Sequence, residues 1–302
     1  MIKLLILYVR LTSGGNMKTL SDDMHSKNLE NETYTDINTL LLNHDKKVVS
    51  FLGTSKSGTS FILNNIAEFL STRGVNVAIL DTTQNRNTYY IYTKNEESLR
   101  NIALESTEHL IEGQARGVKV NTNLTVYTAL PGENKQIQKV EPILETLLKN
   151  HSLILIDCDF KTPINYFDYA QEIYLVQTMD VLTIQPVTEF LLVLKNKGIL
   201  QDSKLRIILN KYVQIKGISE REIISGMAFY NDPSMAYMKE LFNKNSIQYM
   251  TIPYEEATYV RYLEAVAICD INLNGYPSSF IQILEQLSDE IYPFRNIPKD
   301  NI

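Results

Sequence analysis

The fold is decided by the stretch KVVSFLGTSKSGTSF, which runs from Lys47 to Phe61. Val48–Leu52 is a short, mostly apolar run with β-branched residues, and this pattern predicts a buried strand. Gly53–Ser60 is rich in small residues and predicts a tight loop, and helical spacing begins at Ile62. A strand, a small-residue loop and a helix in this order place backbone amides at a helix N-terminus, where they can bind phosphate.

The loop nearly matches the phosphate-binding pattern G-x-x-x-x-G-K-S/T. Gly53 and Gly58 have the required spacing, and Ser60 occupies the position of the hydroxyl that contacts magnesium. Thr59 stands where the pattern has the lysine that reaches the β- and γ-phosphates. Lys56, in the same loop, is a candidate to replace part of that charge. An ordinary Ser/Gly-rich connection would have the same composition, so the loop alone leaves both interpretations open.

Composition limits the class of protein to which this loop can belong. With 302 residues and 44% hydrophobic content, the chain can form one large α/β domain or two small ones. The net charge of −6 provides no general attraction to nucleic acid or to an anionic membrane. Cys158 and Cys269 are too few for a disulfide framework or a structural zinc site, which favours a reducing, cytoplasmic location.

The chain divides by composition into an extension, a domain and a tail. Its apolar start ends at Arg10, well short of the ~20 residues that span a bilayer, so no transmembrane segment is predicted. The polar residues that follow predict a mobile extension or the remnant of a missing domain, and Met17 or Met24 is a possible true start. The predicted divisions are an extension at 1–46, a domain at 47–292 and a tail at 293–302.

Apolar strands alternate with helical stretches along the domain. Strands are predicted at Val48–Leu52, Asn76–Leu80, Leu124–Leu130, Ser152–Ile156, Glu172–Gln177, Leu205–Leu209 and Gln248–Ile252, and a helix at Ile137–Leu148. Such alternation is typical of an α/β fold in three layers, with a mostly parallel, twisted sheet covered by helices on both faces. Ligands of such sheets bind at the carboxyl ends of the strands.

Polar residues follow several of these strands at their carboxyl ends. Asp81 follows one strand, Asp157 another, Asn210 and Lys211 a third, and the pair Pro253 and Tyr254 a fourth. Asp157 comes after a continuously apolar strand, as does the acid that holds magnesium through water in phosphate-binding folds. A helix cap or a turn is the alternative role for each aspartate.

Five segments together carry a family resemblance: GTSKSGTS, ILDTTQN, LILIDCDF, IILNKY and IPYEEATYVRYLEA. In this order and spacing the chain resembles the ParA/MinD superfamily of deviant P-loop ATPases, which have the SIMIBI-type P-loop NTPase fold. The resemblance covers about Lys47 to Tyr292. Within the superfamily the chain is most similar to the TadZ/CpaE-like branch, whose members mark where a Tad (type IV-like) pilus secretion machine assembles. Members of that branch commonly carry a receiver-like domain in the place that residues 1–46 occupy here.

The resemblance implies a role for each matching residue. The phosphates of ATP or ADP would be surrounded by Gly53, Thr54, Ser55, Lys56, Ser57, Gly58, Thr59 and Ser60. Mg²⁺ would be held by Ser60 and, through water, by Asp157. The adenine would be held by Asn210, Pro253 and Tyr254, and Asp81 would polarise the attacking water.

The chain departs from the superfamily pattern at two lysines. Thr54 replaces the signature lysine and Thr59 the P-loop lysine. Loss of such electrostatic groups commonly costs ~10²-fold or more in rate. The implied protein is therefore a nucleotide-binding scaffold with weak or no ATP hydrolysis. The resemblance also implies a homodimer that binds pilus, secretion or polar-localisation proteins and is recruited peripherally to the membrane or pole through a partner.

The alternative from a different class is an active ATPase for DNA partition or division-site placement. Members of those branches use basic residues near the C-terminus or a terminal amphipathic helix. The end of this chain has Arg295 and Lys299 against Glu285, Asp289, Glu290 and Asp300, so it is net acidic and gives no nucleic-acid signal.

Overall fold

The computed structural model describes residues 36–43, 45–132, 136–225 and 247–293. The strands in these ranges are β1 (Lys47–Gly53), β2 (Val77–Asp81), β3 (Val118–Asn121), β4 (Leu124–Tyr127), β5 (Leu153–Cys158), β6 (Glu172–Gln177), β7 (Leu205–Tyr212) and β8 (Gln248–Pro253). They form a sheet in the order β3-β4-β2-β5-β1-β6-β7-β8.

Helices follow most of these strands. They are α1 (Ile37–Leu41), α2 (Thr59–Thr72), α3 (Asn87–Thr93), α4 (Glu97–Ile111), α5 (Val140–Asn150), α6 (Asn165–Tyr169), α7 (Ile184–Asn196), α8 (Glu220–Ser225), α9 (Glu256–Ala267) and α10 (Ser278–Ile291), with 3₁₀ turns at Gln136–Gln138 and Val181–Thr183. Among the residues that the structure describes, no helix has the length and apolar character needed to cross a membrane.

Strand β1 lies in the middle of the sheet and is parallel to both of its neighbours, β5 and β6. Parallel pairing continues from β4 to β8, and the described sheet is antiparallel between β3 and β4. The carboxyl ends of these parallel strands therefore meet at one edge of the sheet. The prediction of an α/β fold with a mostly parallel sheet is confirmed.

The apolar run in β1 is continuous because helices cover both faces of the sheet. Val48 and Leu52 pack into a core beneath α5 and α7. Val49 and Phe51 point the other way, into a core beneath α2 and α10. All four side chains have no solvent-accessible surface. Because successive side chains of β1 enter opposite cores, both cores fix the position of the strand and of the loop that follows it.

The structure moves several predicted boundaries and adds elements. Helix α2 begins at Thr59 and not at Ile62, because Gly58 adopts the left-handed conformation of its N-cap. Strand β4 ends at Tyr127, short of the predicted Leu130, and α5 begins at Val140 after a 3₁₀ turn. Strand β3 was not predicted, since its sequence VKVN is short and half polar.

Helix α1 lies inside the segment 1–46 that the sequence assigns to an extension. Its Ile37 is buried and joins the core beneath α5. Residues 1–35, including both alternative start methionines, lie outside the described residues, as does most of the predicted tail at 293–302.

Candidate functional site

A cavity of about 660 Å³ opens at the edge of the sheet where the parallel strands end. A volume of this size is typical of small-molecule sites. Its walls come from the loop after β1 and the first turn of α2, from the loop after β2, from the carboxyl ends of β5, β7 and β8 with the loops after β5 and β8, and from α9. Beyond the loop after β1 and the start of α2, the lining residues are 83–85, Asn87, 157–160, 210–211, 252–255, Thr258, Tyr259, Tyr262 and Leu263.

The two glycines of the loop are required by close approach. A Cβ on Gly53 would lie 2.2 Å from Thr59 Oγ1 and 2.8 Å from the Val176 carbonyl oxygen. Gly58 has φ +93°, and a Cβ there would lie 2.2 Å from Asn210 Nδ2. A side chain at either position would therefore displace the loop or its neighbours. The glycine spacing read from the sequence corresponds to these two contacts.

The position of the P-loop lysine holds a short side chain turned beneath the loop. Thr59 is 9% exposed, and its hydroxyl lies 3.0 Å from Ser57 Oγ, within hydrogen-bond distance. Ser57 is buried under the loop, whereas the other residues predicted to surround the phosphates, Gly53–Lys56 and Gly58–Ser60, all line the cavity. The loop therefore faces the cavity mainly with backbone and small polar side chains.

Two lysines are among the residues that line the cavity. Lys56 belongs to the loop, and Lys211 follows Asn210 at the end of β7. Both have left-handed backbones, with φ of 64° and 52°. Lys211 Nζ donates to the Lys56 carbonyl oxygen at 3.2 Å and lies 5.2 Å from the centre of the Tyr259 ring. The sequence places Lys211 beside Asn210 at a strand end where ligands bind, but it assigns Lys211 no role in the site.

The structure brings the side chains of Ser60 and Asp157 together. The Ser60 hydroxyl donates to Asp157 Oδ2 at 2.6 Å, and Asp157 is 1% exposed. Burial, reinforced by the neighbouring Asp81 carboxylate, raises the pKa of Asp157 above its usual range. Among the described residues there is no group of three or more His, Cys, Asp or Glu side chains that could hold a metal. The pair fits Mg²⁺, which prefers oxygen ligands and takes most of them from phosphate and water.

Asp81 lies beside Asp157 on the neighbouring strand β2 and is not among the residues that line the cavity. Its Oδ1 accepts from the Thr83 amide at 2.9 Å and from the Thr83 hydroxyl at 2.6 Å, and its Oδ2 accepts from Thr88. Arg86 Nη1 lies 3.9 Å from Oδ1, and both side chains are buried. From the loop after β2, Thr83, Gln84 and Asn85 reach the cavity instead. The water-polarising role of Asp81 stays a prediction.

The residues expected to hold the adenine also line the cavity. Asn210 is 2% exposed and donates through Nδ2 to the Ser57 carbonyl oxygen at 2.8 Å. Pro253 ends β8, and Tyr254 is half exposed. The structure thus brings Pro253 and Tyr254 to the cavity and joins Asn210 to the loop.

No protein-family model matches the sequence, and no curated protein matches it. Solved structures do resemble it. A ParA family ATPase from Chlorobium tepidum has a TM-score of 0.54 and 16% identity, over 80% of this chain and 98% of that one. The septum site-determining protein MinD from Pyrococcus horikoshii, solved with Mg-ADP, has a TM-score of 0.53 and 17% identity, over 82% and 96%. A putative plasmid partition protein from Borrelia burgdorferi, bound to AMPPNP, has a TM-score of 0.52 and 13% identity, over 82% and 98%.

The chain has the ParA/MinD fold. In this fold the cavity lies at the carboxyl ends of parallel strands beside the central strand, the usual location of ligands in open α/β sheets. Sequence reasoning missed the contribution of α9 to its wall. Tyr259 and Leu263 are four residues apart and face the cavity together, a spacing that a helix after Tyr254 would have predicted.

Proposed function

We propose that this chain binds ATP or ADP together with Mg²⁺ in the cavity and acts as a nucleotide-dependent scaffold with weak or no ATP hydrolysis. The observation that carries the proposal is the loop between β1 and α2. Its two glycines sit where no side chain fits, and its residues line a cavity large enough for a nucleotide. Backbone amides at a helix N-terminus supply the positive end that phosphate requires.

The residues around the cavity suit the separate parts of a nucleotide. The loop and the first turn of α2 would bind the phosphates. Ser60 and Asp157 would hold Mg²⁺, which would neutralise phosphate charge when bound. Pro253 and Tyr254, which line the cavity, would hold the adenine against an apolar and aromatic surface. Lys56 and Lys211 would supply the positive side-chain charge that position 59 lacks.

Slow turnover is expected because two lysines of the superfamily pattern are threonines here. Thr54 and Thr59 carry no charge, and the Thr59 hydroxyl is turned toward Ser57. The rate contributions of groups that act on the same transition state are not additive, so one lysine restored alone would recover little of the rate. Asp81 does not compensate, since its carboxylate accepts from Thr83 and Thr88.

The finer proposal is a role in placing or assembling a Tad pilus secretion system, and it rests on the TadZ/CpaE-like sequence motifs. We infer a homodimer with the loop near its twofold axis, bound to secretion or polar-localisation proteins. Tyr259, Val260 and Leu263 on α9 are 39%, 44% and 47% exposed beside the cavity. Exposed apolar side chains in one patch support contact with a second copy of the chain.

Calorimetric titration with Mg-ATP and Mg-ADP, combined with a phosphate-release assay and light scattering, tests this function. We expect micromolar binding, phosphate release near background and a dimer in the presence of nucleotide. Absence of binding would contradict the nucleotide site itself. Robust turnover stimulated by DNA would favour the alternative, an active partition or division-site ATPase, and a monomer at high concentration would contradict the dimer.

A further inference from the structure

We propose that helix α9 is a movable wall of the cavity, and that a bound ligand brings it closer to α2 by completing a layer of polar side chains between them. This layer, called the polar layer below, consists of Asn64, Asn65, Tyr262 and Tyr276. Because the ligand is the nucleotide of the proposed function, this inference rests on that function. It adds a conformational response to binding.

Helix α9 buries little of its surface. Of its twelve residues, all of which the structure describes, Thr258 and Ala265 are buried. Tyr262 is partly buried, and Tyr259 and Leu263 are exposed although they line the cavity. Most of the stability of a helix in a protein comes from packing, and segments with few buried contacts open most easily. Movement of α9 therefore disrupts little of the core.

Helix α2 presents two asparagines to aromatic residues of α9 and of the loop that follows it. Asn64 and Asn65 have no solvent-accessible surface. Asn64 lies beside the Tyr262 hydroxyl, and Asn65 lies beside the hydroxyl of Tyr276, which belongs to the loop after α9. The Tyr262 ring also meets the Phe61 ring edge-on, with 4.8 Å between their centres. The two helices thus meet through polar groups set among aromatic rings.

Polar atoms of this layer are left unpaired. Among the described residues, no hydrogen bond of ordinary geometry reaches either amide atom of Asn64, the Asn65 Oδ1 or the Tyr276 hydroxyl. Asn65 Nδ2 already donates to the Phe61 carbonyl oxygen at 2.8 Å. A buried polar atom without a partner destabilises the arrangement that contains it. Since the partners are adjacent, a small displacement toward α2 is enough to pair Asn64 with Tyr262 and Asn65 with Tyr276.

Arg261 joins α9 to the loop that carries Tyr276. Its Nε donates to the Asn274 carbonyl oxygen at 2.6 Å, and its Nη2 donates to Asn272 Oδ1 at 2.9 Å. The same guanidinium lies 5.9 Å from the centre of the Tyr276 ring. A movement of α9 therefore carries Tyr262 and Tyr276 together relative to α2.

The cavity provides the reason for a ligand to favour the closer arrangement. Tyr262 lines the cavity, and so does Phe61, whose ring it contacts. A ligand shifts a conformational equilibrium only when it binds one state better than the other. A ligand that contacts both helices favours the state in which they are close, and the new hydrogen bonds add to that preference. The exposed surface of Tyr259, Val260 and Leu263 moves with α9, so its presentation to a second copy of the chain depends on the ligand.

Hydrogen exchange with and without saturating Mg-ADP tests the movement, at labelling times too short for global unfolding to contribute. In wild type we expect the ligand to slow exchange in α9 roughly ten-fold or more. Asn64→Leu should still bind Mg-ADP, but the slowing should fall to about a third or less because leucine cannot pair with Tyr262. Without ligand, Asn64→Leu should unfold at the same or a higher urea concentration, since two unpaired polar atoms are removed.

Two tyrosines provide a matched pair that separates the polar layer from stability in general. Tyr276→Phe removes only an unpaired hydroxyl, so it should reduce the slowing in α9 without lowering the unfolding midpoint. Tyr166→Phe removes a buried hydroxyl that donates to the Ile137 carbonyl oxygen at 3.0 Å, in the core beneath α5. It should lower the midpoint and leave the slowing in α9 as in wild type. This pair decides the question if Asn64→Leu does not fold.

The outcomes distinguish the movement from the proposed function. If wild type binds Mg-ADP and α9 exchanges equally fast with and without it, the movement is wrong and the nucleotide site stands. If the slowing in Asn64→Leu and in Tyr276→Phe is as large as in wild type, contact with the ligand alone protects α9 and the role of the polar layer is wrong. If wild type does not bind Mg-ADP, the proposed function fails, and the ligand-driven movement fails with it.

Discussion

Strands β2 and β5 are adjacent in the sheet, and the polar side chains at their two ends differ in whether they are closed off or open to the cavity. At the amino end, Asn76 and His151 form a closed network with Tyr127. At the carboxyl end, Asp81 and Asp157 are register partners, and one of them opens onto the cavity. The same two strands thus combine a network that serves stability with a pair of acids in which one residue is available to a ligand.

At the amino end every polar atom of the imidazole has a partner. His151 Nδ1 lies 2.9 Å from Asn76 Oδ1, and Nε2 lies 2.8 Å from the Tyr127 hydroxyl. Asn76 Nδ2 donates to the Asn150 carbonyl oxygen, which fixes the amide orientation. Nδ1 is therefore the donor and Nε2 the acceptor, so the network suits a neutral histidine.

At the carboxyl end the two acids differ in their partners and not in their burial, since both are 1% exposed. Asp81 faces Arg86, Thr83 and Thr88 inside the protein. Asp157 accepts from Ser60 at the cavity wall. The partners of the two acids therefore decide which one is enclosed by the fold and which one lines the cavity.

The largest expected effect is loss of stability in Asp81→Asn. The substitution keeps the shape but leaves the buried Arg86 guanidinium without this carboxylate, and breaking a buried ion pair costs about 3 to 5 kcal/mol. Asp157→Asn is the matched variant and should unfold at the same or a higher urea concentration, because burial already disfavours that charge. Equal destabilisation by the two substitutions would contradict the division of roles.

The next largest expected effect is a pH-dependent loss of stability that comes from His151, at the amino end of β5. Burial, assisted by the nearby Lys46 charge, lowers the pKa of His151 to about 4 from an unfolded value near 6.5. The native state binds fewer protons than the unfolded chain in this window, so stability is lost as the pH falls below about 6.5. We expect a loss of about 2 kcal/mol between pH 7 and pH 5 from this residue. Urea unfolding of His151→Gln, which does not titrate, should lack that part of the slope; an unchanged slope would show that His151 is not its source.

A smaller effect is expected on binding in Asp157→Asn. The carboxylate would hold Mg²⁺ beside Ser60, and its loss should weaken Mg-ATP by about ten-fold, or about 1.4 kcal/mol, the range of a charge-assisted hydrogen bond. Titration of ATP without Mg²⁺ should show little difference between the variant and wild type. A loss of the same size with and without Mg²⁺ would assign Asp157 to another role.

The smallest effect is expected in Thr59→Lys. The added charge should strengthen ATP binding, but phosphate release should stay near background because position 54 still lacks its lysine. Turnover should rise, if at all, only when Thr54→Lys is added. A normal ATPase rate in the single variant would show that Lys56 or Lys211 already supplies the second charge.

Local patterns predicted the fold well. The strand, glycine-spaced loop and helix from Lys47 onward are encoded within one short stretch, and the apolar β5 predicted its own burial and the acid at its end. The antiparallel β3 escaped prediction because its pairing with β4 does not depend on an apolar repeat. Helix α1 escaped prediction because it is only five residues long, with Ile37 buried and Leu40 and Leu41 partly buried against the core.

The site could be predicted only as a list of residues. The separate roles of Asp81 and Asp157 depend on Arg86 and Ser60, which the tertiary fold brings to them. The hydrogen bond from Lys211 to the Lys56 carbonyl depends on a register shift in β7 and on a left-handed backbone at Lys211, neither of which has a local sequence signal. Which strand end holds a polar residue is encoded locally, whereas what that residue contacts is decided by distant parts of the chain.

The central claim is that the backbone of the loop after β1 forms a nucleotide site, and Gly58→Val tests it most directly. Its side chain would collide with Asn210 at a left-handed position. Gly74→Val is the matched control, since Gly74 is also left-handed, lies just beyond the other end of α2 and has no atom within 4 Å of its Cβ position. In calorimetric titration with Mg-ATP we expect micromolar binding for wild type and Gly74→Val and no detectable binding for Gly58→Val. Equal affinity in all three proteins would contradict the account.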